Sequence, residues 1–127
     1  NTLIMLDALL GNASQTDIQS LEKEFGEFIA EGEKIQIGYK LIRDQFIFTN
    51  KRLILVDKQG LTGKKVEYFS IPYKKITMFS VESVGHFDRD AELKIWISGH
   101  GGPIEKKFNK QIDIYEVERV LASYILD

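Results

Sequence analysis

The sequence predicts a mainly β domain of the α+β class, a seven-stranded antiparallel barrel or sandwich between an N-terminal helical segment and a C-terminal helix. Three observations predict this order. Apolar residues repeat with helical spacing before residue 32, alternate with polar residues from residue 33 to about residue 109, and return to helical spacing from residue 112. The chain has 127 residues, of which 43% are hydrophobic. That is enough for one globular domain with its own core.

The N-terminal segment is predicted to contain two helices. Residues 2–10 are strongly apolar and are followed by Gly11-Asn12, which is typical of a short helix that ends there. Because this stretch is too apolar to lie free in water, we expect it to pack on its own domain or on a neighbouring copy. The first residue is Asn1 and no basic residue precedes the apolar run, so a signal peptide is not expected.

The second helix is expected to begin at a T-x-x-Q capping box formed by Thr16 and Gln19. We expect Gly26, in its middle, to mark a point of close packing, and Gly32 to adopt the left-handed conformation just past its end. Four apolar residues share one face of this helix by their spacing: Ile18, Leu21, Phe25 and Phe28.

Seven short strands are predicted after residue 33, because the apolar residues then repeat with a period of two. The turn signals between them include Thr49-Asn50-Lys51, Gln59-Gly60 and Pro72. The predicted strands lie around 35–39 and at 44–50, 52–58, 65–71, 74–82, 91–98 and 103–109. Strands of this number and spacing are typical of an antiparallel barrel or sandwich.

The C-terminal residues 112–126 predict an amphipathic helix. Ile114, Val117, Leu121 and Tyr124 recur at helical spacing, and Val120 and Ile125 widen the apolar stripe. A stripe this broad can cover an open barrel end and leave surface for a partner.

Charge is divided unevenly along the chain. Residues 1–32 carry a net charge of −5, residues 33–75 of +6 and residues 76–127 of −3, which together give the formal net charge of −2. The basic middle could be an anion-binding surface, or it could pair with the acidic ends within one chain or between copies. A solvated surface of mixed sign is the third interpretation.

The hairpin Phe46-Ile47-Phe48-Thr49-Asn50-Lys51-Arg52-Leu53-Ile54 and the following Ser70-Ile71-Pro72-Tyr73-Lys74-Lys75-Ile76 carry a family resemblance. These T-N-x-R-L and I-P-Y-x-x-I motifs, with Phe79-Ser80-Val81-Glu82, make the chain similar to the small bacterial pleckstrin-homology (PH) proteins. The resemblance covers about 30–126. It implies a PH-like seven-stranded barrel capped by the C-terminal helix and assembly into ring-shaped homo-oligomers, and it implies no activity. We therefore divide the chain into an N-terminal helical segment, 1–32, and a PH-like domain, 33–127.

The sequence departs from phosphoinositide-binding PH domains in its first hairpin. Those domains carry a dense run of bases there, whereas this chain has Lys40 and Arg43 and then Asp44. A weaker basic rim formed by Lys40, Arg43, Lys64 and Lys65 remains a candidate for anionic lipid, since each base near an anionic membrane contributes about 1 kcal/mol.

Three further motifs are weak indicators of function. Gly60-x-x-Gly63-Lys64 has two residues where a phosphate-binding P-loop needs four. The glycines of 99–102 are expected to allow a turn with positive φ. His86, Asp88 and Asp90 contain metal-ligand atoms, but acidic turns of this kind are common. With no cysteine in the chain and a pI of about 5.7, we predict no catalytic, cofactor-binding or metal site and no nucleic-acid binding.

The sequence thus favours a non-enzymatic, cytoplasmic assembly module that forms a homo-oligomeric, cyclic ring. The alternative is a peripheral membrane adaptor that binds anionic lipid on the inner face of the membrane. For the ring, the candidate interface residues come from the apolar helical segments: Leu3, Leu6, Leu10, Phe25, Phe28, Leu121 and Tyr124.

Overall fold

A computed structural model describes residues 13–41, 44–59, 64–82, 91–108 and 112–126. Within them the chain forms two α-helices and seven strands, and it divides after Pro72 into two compact units. The first unit contains α1 (Ala13–Phe25), a 3-10 turn (Gly26–Phe28), β1 (Ile35–Lys40), β2 (Asp44–Thr49), β3 (Arg52–Gln59) and β4 (Lys65–Pro72). The second contains a 3-10 turn (Tyr73–Lys75), β5 (Ile76–Glu82), β6 (Ala91–Ile97), β7 (Ile104–Phe108) and α2 (Ile114–Ile125).

The first unit is an antiparallel sheet with strand order β1-β2-β3-β4. Its register places Lys40 opposite Gln45, Gln45 opposite Val56 and Val56 opposite Tyr68. Because side chains directly opposite one another lie on the same face, the register also defines the two faces of the sheet.

Helix α1 packs on one face of this sheet. Phe25, which is 3% exposed, joins a buried apolar cluster with residues from three strands: Ile35, Ile47, Ile54 and Val56. The other face carries Phe46, Phe48, Leu53 and Ile71, each at most 1% exposed. Strand β2 is therefore buried on both faces, which explains the uninterrupted apolar run Phe46-Ile47-Phe48 at its centre.

The closest approach of α1 to the sheet occurs at Gly38 on β1. A Cβ atom at this position would overlap the Leu21 side chain, so the absence of a side chain lets the helix lie close to the strand. Gly26, where the sequence predicted close packing, has no atom within 4 Å of the place a Cβ would occupy. That prediction was wrong because Gly26 lies in the exposed 3-10 turn after α1.

The second unit is an antiparallel sheet with strand order β5-β6-β7, accompanied by α2. Leu93 and Ile95 of β6 are buried, whereas the alternate residues Lys94 and Trp96 face outward. Helix α2 buries Ile114, Val117, Val120 and Leu121, and Asp113 caps it by accepting a hydrogen bond from the Tyr115 N–H at 3.0 Å.

The predicted strands and the C-terminal helix are confirmed to within about two residues at their ends, and Gly32 has the expected positive φ of 80°. Two expectations are corrected. Because α1 already includes Ala13, Thr16 lies inside the helix and not at the predicted N-terminal boundary. Within the described residues the strands pair only in the two separate sheets, so no closed barrel is formed. The predicted helix over 2–10 lies outside the described residues.

Candidate functional site

The turn between β2 and β3 holds the segment that leads into β1. Asn50 Oδ1 accepts a hydrogen bond from the Lys34 N–H at 2.7 Å, and Asn50 Nδ2 donates to the Gly32 carbonyl at 3.1 Å. The Asn50 N–H also donates to the Lys34 carbonyl at 3.1 Å. The asparagine of the T-N-x-R-L motif therefore connects the turn between β2 and β3 to the residues just before β1, which is a structural role.

A buried ion pair lies beside this turn. Glu33 Oε2 accepts hydrogen bonds from Arg52 Nε at 2.8 Å and from Thr49 Oγ1 at 2.6 Å. Its Oε1 accepts from Arg52 Nη2 at 3.0 Å and from the Ala30 N–H at 3.0 Å. The Glu33 side chain is 1% exposed and that of Arg52 is 26% exposed. This bidentate geometry is the strong form of an Arg–carboxylate contact.

The environment of Glu33 favours its ionised form. Burial opposes ionisation, but hydrogen bonds from Arg52, Thr49 and the Ala30 N–H, together with the charge of Arg52, hold the Glu33 pKa below its ordinary value of 4.5. A carboxylate with both oxygens occupied and a lowered pKa is a poor proton donor near neutral pH. The ion pair therefore stabilises the fold rather than supplying a catalytic acid.

The bases of the predicted rim lie at one end of the four-stranded sheet. Lys40 ends β1, Lys64 and Lys65 lie at the start of β4, and all three are exposed. The two strands are three spacings apart, about 14 Å across the sheet. Arg43 lies outside the described residues. The structure thus brings three of the four bases to one sheet end, at separate positions on its two edge strands.

Carboxylates share that end of the sheet. Asp44 lies opposite Asp57, and Asp57 lies opposite Glu67, so three acids form a row across β2, β3 and β4. Their negative charge offsets that of the nearby lysines and lowers the attraction of this end for an anion. Nowhere in the described parts of the chain does a group of three His, Asp or Glu suited to a metal ion occur.

A cleft of about 240 Å³ lies between α1 and β1. It is open to solvent, and seven residues line it: Ser20, Leu21, Glu24, Gly38, Tyr39, Lys40 and Gln45. Sites that bury a drug-sized ligand usually measure about 300–1,000 Å³. The cleft is therefore too small and too open to enclose such a ligand.

An exposed aromatic pair lies where α1 ends near β4. The rings of Phe28 and Tyr68 stack with centroids 4.3 Å apart and an interplanar angle of 27°, and the two residues are 46% and 40% exposed. Phe25 supports Tyr68 edge-on at 6.2 Å, and Arg52 Nη2 donates to the Phe28 carbonyl at 2.6 Å. The pair is thus held in place by the core and by the buried ion pair.

The outward face of the second sheet carries another apolar surface. Met78, 57% exposed, lies opposite Trp96 on β6. On the same face, Lys94 lies 3.8 Å from Glu92 and 3.9 Å from Glu105. Exposed ion pairs of this length add little stability, so the apolar pair is the main feature of the face.

The glycine-rich turn after β6 is confirmed as a turn, since Gly99 and Gly102 have φ values of 81° and 86°. His100 Nδ1 lies 3.2 Å from the Gly102 carbonyl within the same exposed turn. His86, Asp88 and Asp90 lie outside the described residues.

The candidate interface residues fall into different environments. Phe25 and Leu121 are 3% and 0% exposed, so they belong to the core of a single chain and offer no surface to a neighbour. Phe28 is exposed, and Tyr124 is partly buried against Tyr73, with ring centroids 4.5 Å apart. Leu3, Leu6 and Leu10 lie outside the described residues.

Sequence reasoning assigned no role to Tyr68 or to Met78. A signal was present in both cases. In strand β4, apolar residues occupy both sets of alternate positions, the odd-numbered and the even-numbered ones. In strand β5, Met78 belongs to the same set of alternate positions as the polar residues Ser80 and Glu82. An apolar residue at a position where the alternation of a strand calls for a polar one is a reasonable indicator of an exposed contact site.

Helices of the described segments are all too short or too polar to cross a lipid bilayer.

Comparison with known proteins places the chain among bacterial PH proteins. The sequence pattern of the family described as bacterial PH domain matches residues 4–125. "Uncharacterized protein YjqA" of Bacillus subtilis is 54% identical over 119 residues, 93% of this chain and 95% of that protein. "Uncharacterized protein YozO" of the same organism is 38% identical over 110 residues, 87% of this chain and 90% of that protein.

The fold is shared with a solved structure. The crystal structure of a pleckstrin homology domain from Shewanella amazonensis matches with a TM-score of 0.83 and 50% sequence identity, covering 97% of this chain and 99% of that one. The match extends over both sheets and both helices and confirms the PH-like α+β class that the sequence predicted. Because the family pattern matches residues 4–125, nearly the whole sequence, the chain belongs to the bacterial PH domain family.

Proposed function

We propose that this chain is a non-enzymatic PH-like assembly module whose copies associate head to tail into a closed homo-oligomeric ring. The supporting observation is the Met78–Trp96 pair on the outward face of the second sheet. Single exposed apolar residues are common, but Trp beside an exposed Met is typical of the anchor residues at interfaces. Tyr115 and Leu126, 57% and 62% exposed, add apolar area on and after α2.

The uneven distribution of charge along the chain supports the same proposal. The exposed face of α1 and its following turn is acidic, whereas the exposed residues of the strands and turns after it include many lysines. Surfaces of opposite charge on one chain favour a heterologous contact, and such contacts close into a ring when their rotation permits. The division of the chain into an N-terminal helical segment, 1–32, and a PH-like domain, 33–127, stays a prediction.

Light scattering after size exclusion tests the proposal. At micromolar concentration we expect a single species with a mass several times that of the 14.6-kDa chain. Met78→Asp should lower that mass, because a charge would be buried at the contact. Ser98→Asp, which adds the same charge in an exposed turn, should leave it unchanged. A monomer for the unmodified chain would reject the ring.

The second candidate is a peripheral membrane adaptor, favoured by the presence of Lys40, Lys64 and Lys65 at one end of the first sheet. Three bases could supply about 3 kcal/mol toward an anionic surface, which is weak attachment, and a ring would multiply it by avidity. The row of carboxylates at the same end reduces this attraction. Arg43, the fourth base of the predicted rim, lies outside the described residues.

Co-sedimentation with phosphatidylserine vesicles at low salt tests this second candidate. Binding should be lost in the double variant Lys64→Gln/Lys65→Gln. It should persist in Lys34→Gln/Lys51→Gln, which removes two exposed lysines from the opposite end of the same sheet. Absence of binding by the unmodified chain, or equal loss in both variants, would reject a basic rim at this position.

A further inference from the structure

The cleft between α1 and β1 contains a buried amide. Gln45, on β2, is 6% exposed and lines the cleft. Its side chain takes part in none of the hydrogen bonds between described residues, although every fully buried side-chain nitrogen or oxygen among them has a partner. The amide is therefore not sealed in the core, and the cleft is the solvent that it reaches. There it offers both a donor and an acceptor to a ligand.

The register of the first sheet places a lysine directly beside this amide. Lys40 on β1 lies opposite Gln45, and Gln45 lies opposite Val56, which belongs to the apolar cluster on the face that α1 covers. The Cβ atoms of directly opposed residues are about 4.5–5.5 Å apart. An ammonium group and an amide N–H are therefore close together on one wall of the cleft, as a pair of donors suited to a carboxylate.

The helix supplies the opposite charge. Ser20 and Glu24 are four residues apart on α1, so they are neighbours on one side of the helix, and both line the cleft. Leu21 adds an apolar surface where it packs against Gly38. Within the described residues, neither Glu24 nor Lys40 is engaged in an ion pair. The cleft therefore has an unpaired carboxylate on its helix side and unpaired donors on its sheet side.

Few ligands satisfy both sides of the cleft. A simple anion would be repelled by Glu24, a simple cation would be repelled by Lys40, and an apolar molecule would leave the Gln45 amide without a partner. A small zwitterion satisfies all three groups, because its carboxylate accepts from Lys40 and Gln45 while its ammonium donates to Glu24. The cleft volume of about 240 Å³ is below that of sites for drug-sized molecules, which restricts the ligand to a smaller one.

We infer that the cleft binds a free α-amino acid with an apolar side chain. The carboxylate of the amino acid lies against Lys40 and Gln45, and its ammonium lies against Glu24. Its side chain packs against Leu21 and the backbone at Gly38. All of these residues belong to the first unit, so the inference does not depend on the ring.

Saturation-transfer difference NMR on the full chain tests the inference, since it detects weak ligands of a monomer and of an assembly alike. L-leucine should give a saturable signal, with half-saturation at about 1–10 mM because small ligands bind weakly. N-acetyl-L-leucine lacks the ammonium and L-leucinamide lacks the carboxylate, so each should bind at least about tenfold more weakly. The absence of a saturable signal from L-leucine, or equal signals from the three compounds, would overturn the inference.

Paired substitutions locate the site. Gln45→Leu, Lys40→Gln and Glu24→Gln should each weaken L-leucine binding about tenfold, because each removes one partner of the zwitterion. Lys34→Gln and Glu22→Gln change exposed charges that do not line the cleft and should leave binding unchanged. Full binding by Gln45→Leu, or equal loss in the two controls, would place the amino acid elsewhere and overturn the inference.

Stability in urea separates loss of the site from loss of the fold. Gln45→Leu replaces an amide that has no partner by an apolar group of similar size, so it should keep or raise the free energy of unfolding. The ring is measured independently by the light-scattering mass. Binding of L-leucine by a monomer would therefore support the cleft while rejecting the ring, and a ring that does not bind L-leucine would do the reverse.

Discussion

The carboxylate of Glu33 joins two segments that are far apart in sequence, residues 30–33 and residues 49–52. It accepts hydrogen bonds from Ala30, from Thr49 and twice from Arg52. Hydrogen bonds to a charged group contribute about 1.5–3 kcal/mol to stability. A buried donor or acceptor that is left without a partner lowers stability more than an exposed one, because water cannot replace the lost hydrogen bond. At this scale, stability depends on a few buried polar atoms.

Glu33→Gln should lower the free energy of unfolding by about 2 kcal/mol, because the amide cannot pair with both Arg52 and Thr49 and leaves the guanidinium without its counter-charge. Urea denaturation at neutral pH measures this. Glu105→Gln removes the long, exposed contact with Lys94 and should change stability by less than about 1 kcal/mol. Equal effects of the two substitutions would contradict the role assigned to Glu33.

The same carboxylate predicts a pH dependence. Since its pKa is lower in the folded chain than the ordinary 4.5, folding favours its ionised form. The contribution of Glu33 is complete above about pH 5 and is lost as the pH falls below 4.5 and through the folded pKa. The stability difference between the unmodified chain and Glu33→Gln should therefore shrink between pH 5 and pH 3 in urea titrations. A difference that stays constant would show that the ion pair contributes nothing through ionisation.

The sequence could identify the T-N-x-R-L motif but could not reveal this network. Thr49 and Asn50 were interpreted as turn residues, which is correct locally. Arg52 and Glu33 are 19 positions apart, and nothing in the local pattern shows that they meet. Their contact depends on how the chain returns from α1 into β1, which is a tertiary property.

At the scale of elements, the contact between Leu21 of α1 and Gly38 of β1 sets how closely the helix lies on the sheet. Gly38→Ala should destabilise the chain by about 1 kcal/mol, the low end of overpacking costs, because its Cβ would displace the end of the Leu21 side chain, which borders the open cleft. Leu21→Ala should recover part of that loss in the double variant, which a double-mutant cycle in urea measures.

Gly26→Ala is the matched control. This glycine is exposed, and no atom lies within 4 Å of the added Cβ. The substitution should leave stability unchanged or raise it by up to about 1 kcal/mol, as Ala does over Gly in helical backbone. Destabilisation at Gly26 equal to that at Gly38 would remove the steric explanation.

Whether a segment forms a helix or a strand was predictable, because it depends on the local spacing of apolar residues. The residues at which each helix or strand begins and ends were less predictable. Strand β6 follows strict alternation of Leu93 and Ile95 with Lys94 and Trp96, and its predicted range is close to the observed one. The start of α1 was missed because Thr16 and Gln19 match a capping pattern that also occurs inside helices. Which strands pair with one another depends on backbone contacts that alternation does not encode, so alternation predicted a barrel or sandwich without specifying the observed sheets of four and three strands.

At the scale of the whole molecule, the small net charge conceals large opposite charges in successive parts of the chain. A core of buried apolar side chains explains the fold without reference to these charges. Their division therefore bears on association rather than on folding, since net and regional charge govern solubility and encounter between molecules.

The salt dependence of assembly separates the charge contribution from the apolar one. If opposite charges orient the copies, the apparent mass at a fixed low-micromolar concentration should fall as NaCl rises from about 0.05 to 1 M, where the Debye length shortens to about 3 Å. Contacts made by Met78 and Trp96 should instead persist or strengthen, because salt does not screen apolar burial. Analytical ultracentrifugation across the salt series measures both. Two results together would contradict a role for charge: a mass that rises steadily with salt for the unmodified chain, and a monomer at every salt concentration for Met78→Asp. They would show that apolar contact alone holds the assembly together and that the uneven distribution of charge plays no part in it.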